Sequence, residues 1–465
     1  MRRLRILVFS WRDLAHPLAG GAEVWTNEVT NAWRGMGHEV TLFCAAIGGR
    51  PEREVVDGVN VIRRGTRYSV YKEARRFYEA EGAGRFDLVI DEVCTRPFGC
   101  PRFVHDAPVV AFIHQIAGAV WLYEVPLPLA VLGRYLIEPF WLSRYRDVPT
   151  ATVSQSSWDS LWRMGLRRVV VVPPGHRLSE VANTGKEPHP TLLYVGRLAR
   201  NKRPHHIVKA FQRVRDALPH AQLWVVGTGP MESALRRSAG PGVTLFGFVD
   251  EDTKRDLMSR AHALVMTSVR EGWGLSVTEA AAVGTPTIAY AVPGLVDSVG
   301  MSGGYVVTPR VQALASELRR LLPALADGTE RPDVRPAGVI HWDDVASKLI
   351  ELGGLDDERQ AEAPSPPKLV KVRSGIRGAA GRRPALRAAS PRSRPALAQP
   401  RVHPGQQRHS DNGAGSNGDQ GHDVAGHEDL GVRVVDLSAA RTAEPAVAEP
   451  VDLDVLGSSW SDPAR

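Results

Sequence analysis

Ala263–Tyr290, with the sequence ALVMTSVREGWGLSVTEAAAVGTPTIAY, decides the fold class of this chain. Ala263–Thr267 is a short apolar run typical of a buried strand, and Ser268–Gly274 is a loop with two glycines. Leu275–Val283 has helical composition, and a Gly-Thr-Pro turn ends it before the strand Thr287–Tyr290. Because strand, helix and strand alternate here, the stretch predicts a βαβ unit of a parallel sheet.

Two carboxylates flank the loop and the helix of this unit. Glu271 precedes the first helical turn, and Glu279 lies inside the helix. Gly272 and Gly274 allow the backbone to approach a ligand closely. Since a helix N-terminus presents free N–H groups and the positive end of its dipole, the loop suits a phosphate. The alternative is a structural crossover whose glutamates are merely solvated.

Residues 271–279, EGWGLSVTE, resemble the E-x7-E element of retaining GT-B glycosyltransferases of the group 1 or family 4 type, with Trp273 replacing the common Phe. The resemblance covers about residues 4–355 and implies an α/β protein of the GT-B fold, with two Rossmann-like domains facing a cleft. It implies that Glu279 holds the nucleotide ribose and that Glu271 contacts the transferred sugar. The other donor-binding residues implied in this stretch are Gly272, Gly274, Leu275 and Ser276.

A second glycine turn, Gly196–Lys202 (GRLARNK), follows the apolar run Thr191–Val195 and precedes the predicted helix His205–Arg215. Two cations at a helix N-terminus stabilise a diphosphate. The turn is similar to the family's G-R-L-x-x-x-K, which implies that Gly196, Arg197 and Lys202 bind the donor and that both cations act in catalysis. A basic surface turn is the alternative.

The first half of the chain opens with the strand Leu4–Phe9 and the helix Ala22–Gly35. The loop between them ends in Gly20 and Gly21, which predicts an anion cradle at a helix N-terminus or a structural turn. Gly20-Gly-Ala-Glu23 resembles the family's G-G-x-E. That resemblance implies contact with the donor phosphates or the acceptor.

His114 follows the predicted strand Val109–Ile113, at the carboxyl edge where parallel sheets form sites. The resemblance implies that His114 lies beside the reacting carbon of the sugar, and a loop histidine is the alternative. Gly229 follows another strand, but Glu232 occupies the position of the third fingerprint glycine, so NAD binding is not predicted. The resemblance implies that Gly229 and Phe248 line the nucleotide site.

Two stretches combine arginine with aromatic residues. Arg63–Tyr78 has an apolar stripe beside basic residues, which predicts an ordinary surface helix or a helix on an anionic membrane. Gly118–Arg146 contains three prolines, so one long helix is not expected. It is interpreted as a membrane interface or lipid-acceptor groove, or as a packed helix pair.

Composition is globular, with 43% hydrophobic and 23% charged residues, and the net charge of +7 favours anionic partners. The basic and acidic blocks after residue 356 nearly cancel, and nucleic-acid binding is not predicted. Three cysteines form neither a metal pattern nor a disulfide framework, which fits a reducing cytosol. No D-x-D metal motif stands at a strand end, so we expect neither a metal nor a cofactor. No secretory segment or run of 18 apolar residues is visible, which predicts a cytoplasmic protein, with attachment to the inner membrane face left open.

The predicted domains are an acceptor-side domain over residues 1–175, a nucleotide-sugar domain over 190–340, and a terminal helix over 341–356 that returns to the first domain. Residues 361–410 hold eleven Lys/Arg against one acid, and residues 411–465 hold three Arg against eleven acids. Because large apolar residues are few there, 357–465 is predicted to be a disordered tail.

The resemblance implies a retaining, metal-independent hexosyltransferase that uses GDP-mannose or a UDP-hexose and a glycan or lipid-linked acceptor. In the family's usual account the donor phosphate takes the acceptor's proton, so no side-chain base is assigned. The alternatives are a nucleotide-sugar epimerase of GT-B fold and a non-catalytic nucleotide-sugar-binding protein.

Overall fold

The computed structural model describes residues 2–175, 185–335 and 340–355. The predicted tail, 357–465, lies outside the described residues. The described part forms two α/β domains, each built on its own sheet of mainly parallel strands.

The first sheet has eight strands in the order β3-β4-β2-β1-β5-β6-β7-β8. Every neighbouring pair is parallel except the hairpin β3–β4. Its strands are β1 (Arg5–Phe9), β2 (Glu39–Cys44), β3 (Arg53–Val56), β4 (Val59–Arg63), β5 (Leu88–Val93), β6 (Val109–Ile113), β7 (Thr150–Thr152) and β8 (Val169–Val171). Its helices are α1 (Gly21–Gly35), α2 (Val70–Phe77), α3 (Trp121–Glu124), α4 (Leu127–Leu132), α5 (Glu138–Leu142) and α6 (Gln155–Arg163).

The second sheet has six parallel strands in the order β11-β10-β9-β12-β13-β14. Its strands are β9 (Thr191–Val195), β10 (Gln222–Val226), β11 (Val243–Gly247), β12 (Ala263–Met266), β13 (Thr287–Tyr290) and β14 (Gly304–Val307). Its helices are α7 (Pro204–Arg215), α8 (Glu232–Ser238), α9 (Glu251–Arg260), α10 (Leu275–Ala282), α11 (Leu295–Ser302) and α12 (Val311–Ala326).

The central strands of both sheets are buried along most of their length, and Arg5 at the start of β1 is exposed. All five residues of β9 and all six of β5 are buried, as expected for strands with helices on both faces. This arrangement directs the carboxyl ends of the strands, and the loops that follow them, to one edge of each sheet. In open parallel sheets that edge is where ligands bind.

The last described helix, α13 (Trp342–Leu352), packs on the first domain although it follows the second in sequence. Val345 and Leu349 are fully buried in the same cluster as α1 residues. Nε1 of Trp33 in α1 donates a hydrogen bond of 2.9 Å to the carbonyl oxygen of Ala346. The helix therefore completes the core of the first domain.

Gly118–Arg146 is not one long helix, as expected, because the chain leaves the helical conformation at Val125 and Pro126, between α3 and α4. Beyond that break, residues 127–145 form a continuous helical run. A π-helical turn, Gly133–Ile137, lies between α4 and α5, and Pro139 follows it. In a π-helical turn each N–H bonds the carbonyl oxygen five residues back, not four. Pro139 lies in the first turn of α5 after this π-helical turn, where its lack of an N–H is tolerated. No helix of the described residues is long and apolar enough to cross a bilayer.

The stretch Arg63–Tyr78 divides into two parts. Arg63 ends β4 and is buried, whereas Val70, Ala74 and Phe77 form the buried stripe of α2. On the exposed face of α2, Arg76 pairs with Glu73. The short helices α8 and α11 and the hairpin β3–β4 were not predicted.

Candidate active site

Two loops of the second domain meet because the strands that precede them, β9 and β12, are neighbours. The N–H of Val269 donates to the carbonyl oxygen of Asn201 at 2.9 Å. Thr267 Oγ1 donates to the carbonyl oxygens of Lys202 and Arg203 at 3.1 and 2.9 Å. These bonds fix the glycine turn 196–202 against the loop 268–274.

Lys202 and Glu271 form an ion pair where these loops touch. Lys202 Nζ lies 2.5 Å from Glu271 Oε1, and Ser268 Oγ donates to the same oxygen at 2.5 Å. The Lys202 side chain is 27% exposed and that of Glu271 is 10% exposed. A cation and a carboxylate are thus oriented together at the mouth of the loop, with the ammonium still reachable from solvent.

Gly272 brings this loop against the first domain. A Cβ atom at Gly272 would lie 2.6 Å from the carbonyl oxygen of His114. Trp273 is buried within the core cluster of the first domain. The Leu275 side chain lies 3.4 Å from where a Cβ of Gly21 would stand. Residues predicted from the two halves of the chain are therefore adjacent.

The helix α10 begins directly after Gly274, which has a φ of 90°. A left-handed residue here is compatible with glycine and strained for other residues. Ser276 and Glu279 lie on α10, and Glu279 Oε2 is 3.2 Å from Lys254 Nζ. Burial lowers the pKa of Lys254, but Glu279 and Glu251 outweigh this and hold it above its ordinary value.

His114 is held by a buried carboxylate that the sequence did not reveal. Its Nε2 lies 2.7 Å from Glu92 Oε1, and Glu92 is 1% exposed. Thr26 Oγ1 on α1 lies 2.7 Å from both carboxylate oxygens of Glu92. The imidazole orientation is therefore set by β5 and α1 together.

A possible metal ligand set includes this histidine. Glu92, Cys94 and His114 offer ligand atoms that all lie within 4.8 Å of one another. A carboxylate, a thiol and an imidazole suit Zn²⁺. However, Glu92 and His114 already bond each other, so a metal would have to replace that bond. The expectation that no metal is required stays a prediction.

At the N-terminus of α1, one backbone N–H already bonds the carboxylate of Glu23, a residue of the same helix. The N–H of Gly20 donates to Glu23 Oε2 at 2.7 Å, and Arg12 lies 2.7 Å from Glu23 Oε1. Burial raises the pKa of Glu23, an effect that Arg12 opposes. The Gly20 N–H predicted for an anion is thus already used.

The remaining predicted residues lie around the glycine turns. A Cβ at Gly229 would lie 2.6 Å from the carbonyl oxygen of Leu198, so the turn after β10 packs directly on the turn that begins at Gly196. Arg197 is exposed, and its guanidinium makes no hydrogen bond or ion pair with another described residue, whereas its carbonyl oxygen accepts from the Tyr194 hydroxyl at 3.0 Å. The Phe248 side chain is 83% exposed.

Polar contacts between the domains were also not foreseen. Arg270 Nη2 donates to Ser160 Oγ at 2.9 Å, and the N–H of Ser156 donates to Asp297 Oδ1 at 3.1 Å. Burial lowers the pKa of Arg270. Arg270 follows Val269 in a loop that reads as surface, and no local pattern marks it as an interdomain residue.

Two family profiles match the chain, one on each sheet. The profile described as glycosyltransferase family 4 matches residues 19–180, and the one described as glycosyl transferases group 1 matches residues 189–323. Together they span more than half of the chain. The chain belongs to the group 1, family 4 glycosyltransferases.

Known relatives agree with this assignment. The glycosyltransferase is 26% identical to the glycogen synthase of Mycobacterium tuberculosis (strain CDC 1551 / Oshkosh) over 405 residues, which is 77% of this chain and 97% of the relative. It is 27% identical to a GDP-mannose-dependent alpha-(1-6)-phosphatidylinositol dimannoside mannosyltransferase of M. tuberculosis (strain ATCC 25177 / H37Ra). That match covers 42% of this chain and 54% of the relative.

A solved structure confirms the fold. The sucrose-phosphate synthase of Thermosynechococcus elongatus superposes with a TM-score of 0.59 and 22% identity, covering 75% of this chain and 98% of that chain. The predicted GT-B fold is therefore confirmed, as is the prediction that the protein is a glycosyltransferase.

Proposed function

We propose that this glycosyltransferase moves a hexose from GDP-mannose or a UDP-hexose to a glycan or lipid-linked acceptor, with retention of configuration and without a metal ion. The observation that carries the proposal is the bond between Lys202 and Glu271. These residues are far apart in sequence and meet at the carboxyl ends of adjacent strands, beside the N-terminus of α10. Nucleotide-sugar chemistry needs a cation for the diphosphate and an acceptor group for sugar hydroxyls at this kind of position.

The donor diphosphate would be held by three groups. Lys202 is partly exposed, and the Arg197 guanidinium is unpaired among the described residues, so both can bind phosphate oxygens. The first-turn N–H groups of α10 add a further positive potential. These groups stabilise the charge of the leaving nucleoside diphosphate, the task for which other enzymes use a metal.

The sugar and the ribose would be held by the carboxylates and the histidine. Glu279 accepts hydrogen bonds from ribose hydroxyls, Glu271 binds the hexose, and His114 donates or accepts near the reacting carbon. The bond from that carbon to the phosphate oxygen breaks and the bond to the acceptor oxygen forms on the same face of the ring. The acceptor's proton passes to the departing phosphate.

The test is a donor panel of GDP-mannose, UDP-glucose, UDP-galactose and UDP-N-acetylglucosamine, with and without a chelator. Wild type should release the nucleoside diphosphate from one donor, and Lys202→Ala should lose at least tenfold in kcat/KM. Lys348→Ala, which removes an exposed lysine of α13, is the matched control. Sensitivity to the chelator would contradict the metal-free proposal, and full activity of Lys202→Ala would contradict the site.

The exposed helical run 127–145 supports an acceptor at an anionic membrane surface. Its large apolar side chains face solvent, including Leu127, Leu136 and Phe140, which are 66%, 63% and 61% exposed. Arg144 lies 4.1 Å from the ring centroid of Phe140. Apolar side chains with arginine beside them match the interface of an anionic bilayer.

Flotation of the full chain with phosphatidylglycerol vesicles tests this surface. Leu127→Ser with Leu136→Ser should abolish binding at low salt, whereas Val55→Ser, which changes an equally exposed residue of β3, should not. Phosphatidylcholine vesicles should bind weakly. Binding that persists in the double variant would show that another part of the chain contacts the membrane.

A further inference from the structure

The ends of two neighbouring strands in the first sheet bring a carboxylate, a thiol and an imidazole together. Glu92 and Cys94 lie two residues apart at the end of β5, so both side chains point to the same face of the sheet. The parallel pairing of β5 with β6 sets Val93 beside Ile113. The next residue of each strand is then Cys94 on one side and His114 on the other. The backbone register therefore assembles Glu92, Cys94 and His114, which we call the β5–β6 triad.

The β5–β6 triad is compact enough to bind one metal ion. Its ligand atoms, a carboxylate oxygen, the cysteine sulfur and an imidazole nitrogen, all lie within 4.8 Å of one another. Ligands that bind a tetrahedral Zn²⁺ at about 2.0–2.3 Å stand roughly 3.5 Å apart, so shifts of about 1 Å would complete the geometry. Thiol and imidazole ligands favour Zn²⁺ over Mg²⁺ and Ca²⁺, which prefer oxygen.

Neighbouring side chains already hold two of these ligands in place. Thr26 Oγ1 lies 2.7 Å from both carboxylate oxygens of Glu92. The His114 imidazole makes T-shaped contacts with Trp25 and Phe112, whose ring centroids lie 5.3 and 4.8 Å away. Because such outer contacts orient metal ligands, little further ordering is needed when an ion binds.

The sulfur joins the ligand set by giving up its proton. Burial, together with the negative charges of Glu92 and Glu23, raises the pKa of the Cys94 thiol well above its usual range. The metal-free thiol is therefore protonated at neutral pH. When Zn²⁺ binds, the sulfur–metal bond forms and the proton passes to solvent. The carboxylates that disfavour a lone thiolate favour the thiolate–zinc pair, whose net charge is positive.

A metal ion at this position would change the environment of His114. Its Nε2 now lies 2.7 Å from Glu92 Oε1, and a metal bound to both side chains would replace that contact. The orientation of the imidazole would then be set by the metal, and its assigned place beside the reacting carbon would be lost. Lys202 and Arg197, which are assigned to the donor diphosphate, belong to the other sheet and are not ligands.

We propose that the β5–β6 triad is an inhibitory site for Zn²⁺. Binding of the ion stops sugar transfer without displacing the nucleotide, and removal of the ion restores transfer. The inhibitory role rests on the proposed function because it acts through His114, whereas binding of the metal does not depend on it.

Metal binding is measured first, on the full chain with Co²⁺ as the probe. A thiolate bound to Co²⁺ gives a near-ultraviolet charge-transfer band, which reports a cysteine ligand directly. The chain has three cysteines and none follows residue 356, so histidines of the tail cannot produce this band. Wild type should develop the band at an equimolar ratio, and Cys94→Ser should lack it. Cys44→Ala, which removes a buried thiol of the same domain, is the matched control and should keep it.

Inhibition is then measured as nucleoside diphosphate release from the active donor while zinc chloride is added. Each protein is compared with its own turnover in zinc-free buffer. Wild type and Cys44→Ala should lose turnover about tenfold or more, with nucleotide affinity almost unchanged, and a chelator should restore it. Cys94→Ser should need about tenfold more zinc, or more, for the same loss.

The possible failures are distinguishable. Absence of the cobalt band in the wild type, or its persistence in Cys94→Ser, would overturn the metal site. Equal zinc sensitivity of wild type and Cys94→Ser would overturn the inhibitory role, and so would a rise of turnover with zinc. If no donor is turned over but the band appears and depends on Cys94, the metal site stands and the proposed function itself is wrong.

Discussion

Gly272→Ala should separate the two domains at the active site. The new Cβ would lie 2.6 Å from the carbonyl oxygen of His114, and ordinary contact begins at 3.4 Å, so these atoms must move apart by about 0.8 Å. Val153 Cγ2 would lie at 3.3 Å on another side. Gly272 does not have a left-handed φ, so the effect is steric and not a matter of backbone strain.

The magnitude follows from the cost of overpacking, about 1–3 kcal/mol. Because the atom opposite is backbone, it cannot rotate away, and the strain is relieved most readily by loosening the contact between the domains. Since 1.4 kcal/mol is a factor of ten, the closed arrangement should be about fivefold to a hundredfold less populated. Turnover that needs both domains should fall by the same factor.

The assay is donor turnover together with binding of the nucleoside diphosphate. Gly272→Ala should lower kcat/KM about fivefold to a hundredfold and leave nucleotide affinity within threefold, because the clash is with the first domain. Gly300→Ala is the matched control, since a Cβ there meets no atom within 4 Å on α11. It should keep wild-type turnover and gain up to about 1 kcal/mol of stability. Turnover of Gly272→Ala within twofold of wild type would refute the reasoning.

Three further predictions follow from buried groups. Glu92→Gln removes the charge that holds His114 and should lower kcat about tenfold to a hundredfold with an unchanged melting temperature. A lower melting temperature together with the lower kcat would indicate a structural role. Burial lowers the pKa of His206 to about 3, so the folded state stays neutral while the unfolded chain takes up a proton below about pH 6.5. Stability should therefore fall between pH 6.5 and 3, by at most about 1.4 kcal/mol per pH unit, and urea titrations of His206→Asn should show a shallower fall. Trp33→Phe removes the hydrogen bond to Ala346 and should lower the free energy of unfolding, measured in urea, by about 1–3 kcal/mol. A decrease below about 0.5 kcal/mol would contradict this prediction.

The glycine turns and the cations could be predicted because their signals are local. Lys202 and Glu271 each stand at a fixed position between a strand and a helix, and parallel sheets place such positions at one edge. Asp250 shows a local signal that was overlooked. Its side chain caps α9 by accepting from the N–H of Thr253, and an aspartate at this place is a common start of a helix.

Glu92 could not be predicted from its surroundings. It is one residue of a fully buried strand, and its role depends on its contacts with Thr26 and His114, which lie on other elements. The same holds for the approach of Gly272 to His114, which depends on how the two domains pack. Contacts between elements distant in sequence leave no periodic pattern in either one.

The position of α13 has a consequence for how the chain matures on the ribosome. Val345 and Leu349 complete a core whose other members lie mostly between Leu4 and Val172, so the entire second domain is synthesised before the first domain can finish folding. The second sheet, whose strands are contiguous from Thr191 to Val307, can fold as soon as it emerges. The nascent amino-terminal half would therefore expose apolar surface on α1 for the time needed to translate more than 150 residues, about 8–30 s at roughly 5–20 residues per second. Protection of that surface by a chaperone would be needed during synthesis and not afterwards.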